Sequence, residues 1–159
     1  MKDFLEKLAA LDAPLNPPAM IEDIRKAEDR LGLQLPPLFR EMYRRFDGTS
    51  SEFGEMIWCI WRLEQLATIR QAYDHRNLPV LSGRCNRYPD QYVCFADTLF
   101  WAPVYAICAD LNSPAYGEVV YLFGDTDFIM ERSASSFERF LALFPLHFDD
   151  AVICEPGIP

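Results

Sequence analysis

PPAMIEDIRKAEDRLGLQLPPLFREMYRRFDG, residues 17–48, decides the architecture of this 159-residue chain. The stretch divides into two short helices. Met20, Ile21, Ile24, Ala27 and Leu31 recur at three- and four-residue spacing and predict one apolar face, with Glu22, Asp23, Arg25, Lys26, Asp29 and Arg30 turned to water. Gly32 supplies the left-handed residue that ends a helix, and Pro36 and Pro37 fall where the first turn of the next one needs no amide donor. Leu38, Phe39, Met42, Tyr43 and Phe46 form a second apolar stripe, closed by Asp47-Gly48.

Upstream, Met1 to Leu11 reads as a helix with Phe4, Leu5, Leu8 and Leu11 on one side, joined by a rigid connection, DAPLNPP, over residues 12–18. Downstream of a polar loop from Thr49 to Glu55, Met56 to Trp61 is apolar and β-prone and predicts a short buried strand. Leu63, Leu66, Ile69 and Tyr73 predict a helix ending before Pro79, and residues 82–90 a loop. Four candidate strands follow: Tyr92 to Asp97, Val104 to Ala109, Glu118 to Phe123 and Asp127 to Met130. Asn112-Ser113-Pro114 and Gly124-Asp125 are the turn signals between them. Val119 to Phe123 lacks alternation, which predicts a central strand covered on both faces. Ser135 and Glu138 have capping-box spacing and open a last helix that packs Phe137, Phe140, Leu141 and Phe144 inward. Pro145 is expected to end it, leaving residues 146–159 as a tail. Helices, then strands, then a helix predict an α+β fold: N-terminal helices, a largely antiparallel sheet and a C-terminal helix in one domain spanning 1–159.

The ordered series Ile24, Ala27-Glu28, Leu31-Gly32-Leu33, Leu35-Pro36, Leu38, Tyr43 and Asp47-Gly48 resembles the opening of the SUKH superfamily. That group takes in a yeast cell-wall synthesis regulator and many bacterial immunity proteins. Ile57 to Leu66 is similar to the family's strand and leucine-anchored helix, and Gly117 to Phe144 to its last strands and closing helix, with Ser136-Phe137-Glu138-Arg139-Phe140-Leu141 matching Ser-Phe-x-x-Phe-Leu. The resemblance covers a core over 17–144, with 145–159 as a C-terminal tail. These hallmarks mark helix ends, core contacts and turns, so the resemblance implies a scaffold and carries over no active site. It implies a binding protein, in bacteria most often one that neutralises a secreted or contact-delivered toxin.

Half the residues are apolar and 14% aromatic, which argues for a packed core rather than disorder. Five cysteines, an odd number with no C-x-x-C spacing, read as small hydrophobes in a reducing compartment. The N-terminus, with acids at Asp3 and Glu6, reads as an amphipathic helix rather than a signal sequence, and the uncharged run from Thr98 to Ala109 is too short to cross a bilayer, so a cytoplasmic protein without a membrane partner is expected. Charge is unevenly shared. Residues 1–90 hold 14 acids and 13 bases; residues 91–159 hold 10 acids and two bases, Arg132 and Arg139, a net of −8 within the chain's −9. That asymmetry repels nucleic-acid phosphates, and it either steers a basic protein partner or serves solubility alone.

Catalytic chemistry is thinly supplied. His75 and His147 are the two histidines, no cysteine or histidine pair has zinc-ligand spacing, and Asp125-Thr126-Asp127 lacks the glycine and distal glutamate of a calcium loop. No cofactor or metal is expected. Trp58 and Trp61 read as core; Phe100-Trp101, in a turn before Pro103, reads either as core or as an exposed interface anchor. The leading expectation is a non-enzymatic immunity protein. It would bind a cognate toxin, such as a nuclease or other nucleic-acid-modifying enzyme, through an acidic surface of Asp97, Trp101, Asp110, Tyr116, Glu118, Asp125 and Asp127, with Glu118 the residue most exposed to burial by its strand. The alternatives are a regulatory scaffold linked to cell-wall or polysaccharide synthesis, and an enzyme built on a Cys–His pair. No oligomeric state is set by the sequence.

Overall fold

A computed structural model describes residues 1–74, 88–123, 129–150 and 152–156. Helices α1 (Lys2–Ala10), α2 (Ile21–Leu31) and α3 (Pro37–Tyr43) come first, followed by the two-residue strands β1 (Cys59–Ile60) and β2 (Ala67–Thr68) and helix α4 (Ile69–Asp74). Strands β3 (Tyr92–Asp97), β4 (Val104–Cys108), β5 (Val119–Phe123) and β6 (Ile129–Ala134) precede the closing helix α5 (Phe137–His147). The strands form one six-stranded antiparallel sheet, ordered β1-β3-β4-β5-β6 with β2 also paired to β3. The α+β class expected from the sequence is the observed one.

The opening helices follow their sequence signals closely. Gly32 adopts φ 67° and ends α2, where the Leu33 N–H bonds the Glu28 carbonyl at 3.3 Å, and Pro37 occupies the first turn of α3. The Glu28 carboxylate accepts the Leu35 N–H at 2.9 Å and lies 3.6 Å from Arg40, which fixes the corner between α2 and α3. The apolar stripe of α2 is narrower than the spacing predicts. Ile24, Ala27 and Leu31 are buried, whereas Met20, the N-cap, and Ile21, the first helical residue, sit at the helix tip and remain exposed.

One aromatic core lies between the sheet and the α1–α3–α5 layer. A register shift between Cys94 and Ala96 lets Phe95 share a face with Ala96. Phe95 reaches Phe39, Phe137 and Phe140 at ring separations of 5.3, 5.8 and 5.6 Å, while Tyr105 stacks on Trp58 at 5.2 Å. Edge-to-face pairs of this kind contribute about 0.5–1.5 kcal/mol each beyond burial. On the opposite face, Cys94, Val104, Ala106, Cys108, Val120 and Leu122 are also fully buried. The strands covered on both sides are therefore β3 and β4; β5 lies inside the sheet but its last residue, Phe123, is exposed.

Four expected boundaries are corrected. The strand placed over 56–61 is only Cys59–Ile60, because Ile57 turns the chain at φ 51°. The helix placed from Leu63 begins at Ile69 instead. Leu63 and Leu66 lie in a turn whose carbonyls accept from Arg30 at 2.8 and 2.7 Å, and Thr68 and Gln71 exchange hydrogen bonds as a capping box. Strand β6 extends to Ala134, its charged residues paired across the ladder: Tyr121 donates to Glu131, and Arg132 lies 3.8 Å from Glu118. Helix α5 is capped by the Ser136 hydroxyl rather than Ser135, and Pro145 lies within it. The helix continues because Phe148, just past its end, is buried against Phe53, Trp58 and Phe144. The tail is tied down as well: Ile153 is buried, its N–H donates to the Tyr105 hydroxyl at 2.9 Å, and its carbonyl accepts from Ser133 at 2.6 Å.

Candidate partner-binding site

Of the seven residues singled out by sequence, the five that the structure describes do not form one patch. Asp97 ends β3, and Trp101 lies in the following turn; Asp110 follows β4, which runs antiparallel to β3. The two groups therefore stand at opposite ends of the sheet, on the order of 17 Å apart along a six-residue strand.

At the Asp110 end, the carboxylate organises its own turn. It accepts the Asn112 N–H at 2.9 Å and the Gln91 side-chain amide at 2.8 Å. Glu118 is buried as foreseen, accepts the Tyr92 hydroxyl at 3.1 Å, and faces Arg132. Tyr116 is half-buried; burial pushes its phenol up, and the Glu28 carboxylate adds to that. Asp110, Glu118, Tyr88 and Tyr92 line an open cleft of about 440 Å³.

At the other end, Asp97 is 5% exposed and does not stand on the surface as a free-standing charge. Its carboxylate accepts the Trp61 indole N–H at 2.6 Å and the Trp101 backbone N–H at 3.1 Å, so burial is offset by bonding. Trp101 is half-buried with its ring 4.9 Å from Trp61 and 5.9 Å from Tyr73. Its neighbour Phe100 points out, 70% exposed, so the two readings left open for this pair divide between its members. Asp125 and Asp127 lie outside the described residues, but the flanking Phe123 and Ile129 pair across the ladder at this same end, each 52% exposed.

The backbone is unusual here. Among the described residues, the non-glycine positions with positive φ are Asp12, Ile57, Leu99, Phe100 and Trp101. The last four fall in two loops joined by the Leu99 N–H to the Met56 carbonyl at 3.2 Å. Leu99, Phe100 and Trp101 are consecutive, at 48°, 59° and 79°, and the left-handed region costs an L-residue about 1–2 kcal/mol. Strain of this kind is concentrated at ligand clamps and binding loops in folded proteins. Sequence reading missed Glu52 and Trp61 as parts of this end, because the loop carrying Glu52 is brought there only by the pairing of Phe53 with Trp58 and of β1 with β3.

Burial pushes the thiols of Cys59, Cys108 and Cys154 up, the direction opposite to an activated nucleophile. His147 lies at the end of α5, its Nδ1 2.7 Å from Asp150; His75 and Cys85 lie outside the described residues. Among the described residues no three His, Cys, Asp or Glu side chains gather as a metal site, and no helix is long and apolar enough to cross a membrane.

These features define an α+β scaffold with an aromatic core. The model of the SMI1 / KNR4 family (SUKH-1) matches residues 18–143, and the chain belongs to that family. No curated protein matches the chain.

Proposed function

We propose that this chain is a non-enzymatic binding protein of the immunity type, which neutralises a cognate protein toxin by covering it with an acidic surface. The observation that carries the reading is the coupling of family membership with charge: a SUKH-1 scaffold in which residues 91–159 hold 10 acids against two bases. A toxin that handles nucleic acid has a basic groove for phosphates, and a preformed anionic surface complements it in both steering and specificity. The strained end of the sheet is the favoured face. Exposed Phe100, Phe123 and Ile129 supply apolar anchors, exposed Glu52 an acidic rim, and Asp125 and Asp127 join this rim in the proposal. Trp101 and Asp97 act beneath it as its support, while Asp110, Tyr116 and Glu118 belong to a separate, secondary contact at the far end. The protein works in the cytoplasm of the producing cell in this reading.

Co-expression with the product of the adjacent gene tests the proposal. Recovery of a stoichiometric complex, together with rescue of growth from that product's toxicity, is the expected result. Absence of both would refute the reading, and a complex with a polysaccharide synthase in place of a toxin would favour the regulatory alternative.

A further inference from the structure

Between the two strained loops opens a cavity of about 260 Å³ lined by Glu52, Cys59, Trp61, Asp97, Phe100 and Trp101, among others. It falls below the roughly 300–1,000 Å³ of pockets that enclose a small-molecule ligand, and is of the order that takes one side chain. The Trp61 and Trp101 rings, 4.9 Å apart and inclined at 42°, form an aromatic wall; exposed Phe100 stands at the mouth and exposed Glu52 on the rim. Two carboxylates, Glu52 and Asp97, line the cavity; the Cys59 thiol is pushed up first by burial and then by Asp97, against a lowering bond from Thr49, with Glu52 adding to the rise.

We infer that this cavity receives an arginine side chain presented by a protein partner, its guanidinium lying against the Trp101 ring with Glu52 beside it. An arginine meets every requirement of the lining at once. Its planar cation stacks on indole faces, its stem is apolar, and its N–H groups find a carboxylate at the rim. An acidic side chain meets repulsion from Glu52 and Asp97, and an aliphatic one desolvates polar groups without replacing their bonds. A second copy of this chain is a poor occupant, since each carries a net charge of −9. The inference deepens the binding-protein reading and rests on it for the partner, though not for the chemistry of the pocket.

The three tryptophan indole N–H signals of the ¹⁵N-labelled protein supply the test. Trp58 is the internal control, being fully buried and donating to the Phe148 carbonyl at 3.1 Å. Titration with N-acetyl-arginine-N-methylamide is expected to shift the Trp61 and Trp101 signals saturably, with a dissociation constant on the order of millimolar, and to leave Trp58 unmoved. The uncharged citrulline analogue is expected to bind about tenfold more weakly or not at all. Glu52→Gln, an exposed change that does not threaten folding, should weaken the probe about two- to fivefold, and Trp101→Leu about tenfold. Equal shifts with the citrulline analogue, or none with the arginine probe at about 50 mM, would overturn the assignment. So would free L-arginine binding about tenfold tighter than the blocked probe, which marks a metabolite site. A positive titration without any toxin partner would sink the immunity reading alone; a toxin complex with silent indoles would sink the pocket alone.

Discussion

Asp97 offers the sharpest test of how the strained end of the sheet is held. The carboxylate accepts two N–H donors, the Trp61 indole at 2.6 Å and the Trp101 amide at 3.1 Å, from a position 5% exposed. Hydrogen bonds to a charged acceptor contribute about 1.5–3 kcal/mol each, and a buried donor left without one forfeits its solvation as well. Asp97→Asn keeps one acceptor oxygen and turns the other into a donor, so one bond is lost and about 1.5–3 kcal/mol with it. With a urea m-value of about 2 kcal/mol/M, the midpoint falls by about 0.7–1.5 M. Asp97→Ala loses both bonds and falls by about twice as much. Equilibrium urea unfolding followed by far-ultraviolet circular dichroism reads the midpoint, and tryptophan fluorescence reads the release of Trp61 and Trp101. An Asp97→Asn midpoint within about 0.2 M of the parent, with altered binding of a basic partner, would make Asp97 a surface charge and refute the reasoning.

Three further outcomes follow from local geometry. Ser136→Ala should destabilise by about 1 kcal/mol in the same unfolding assay through loss of the α5 cap, while Ser135→Ala, whose hydroxyl bonds the Glu155 carboxylate rather than the helix, should leave the cap intact and loosen only the tail. Gly48→Ala, at φ 66° and with a new Cβ only 2.5 Å from the Ile60 carbonyl oxygen, should cost about 2–5 kcal/mol; Gly32→Ala, at φ 67° with open space around it, should cost about 1–2. The Glu155 carboxyl is held below the usual value of 4.5, first by the Ser135 backbone N–H, then by the Ser135 hydroxyl, with Arg139 helping. A lowered folded value means its contribution is present above about pH 4.5 and lost as pH falls through the folded value. Protection factors of the Ile153 and Glu155 amides, taken relative to the intrinsic exchange rate at each pH, should therefore fall on acidification, and Glu155→Gln should remove that pH dependence.

The parts of the fold legible in the sequence were those encoded by single residues acting locally. Gly32 and Pro37 ended and started helices where expected, and the strands over 92–97 and 104–108 followed from their apolar runs. Failures came where a distant partner overrode a local signal. Leu63 and Leu66 have helical spacing, but Arg30 captures their carbonyls and β3 draws Ala67 and Thr68 into the sheet. Pro145 reads as a stop until Phe148 is seen to be anchored in the core. The Thr68–Gln71 capping box was written in the sequence and passed over. For the candidate site, residue types were legible but their grouping was not. Whether Asp97 meets solvent depends on Trp61, 36 residues away, and the separation of Asp97 from Asp110 follows from strand direction, which composition does not encode.

Recognition of a cationic protein by a preformed anionic surface is measured most directly by the association rate of the purified pair. Raising salt from 0.01 to 0.15 M shrinks the Debye length from about 30 to about 8 Å. The rate should then fall at least about tenfold while the dissociation rate changes little. A rate that stays level across that range would show that the acidic excess plays no part in recognition.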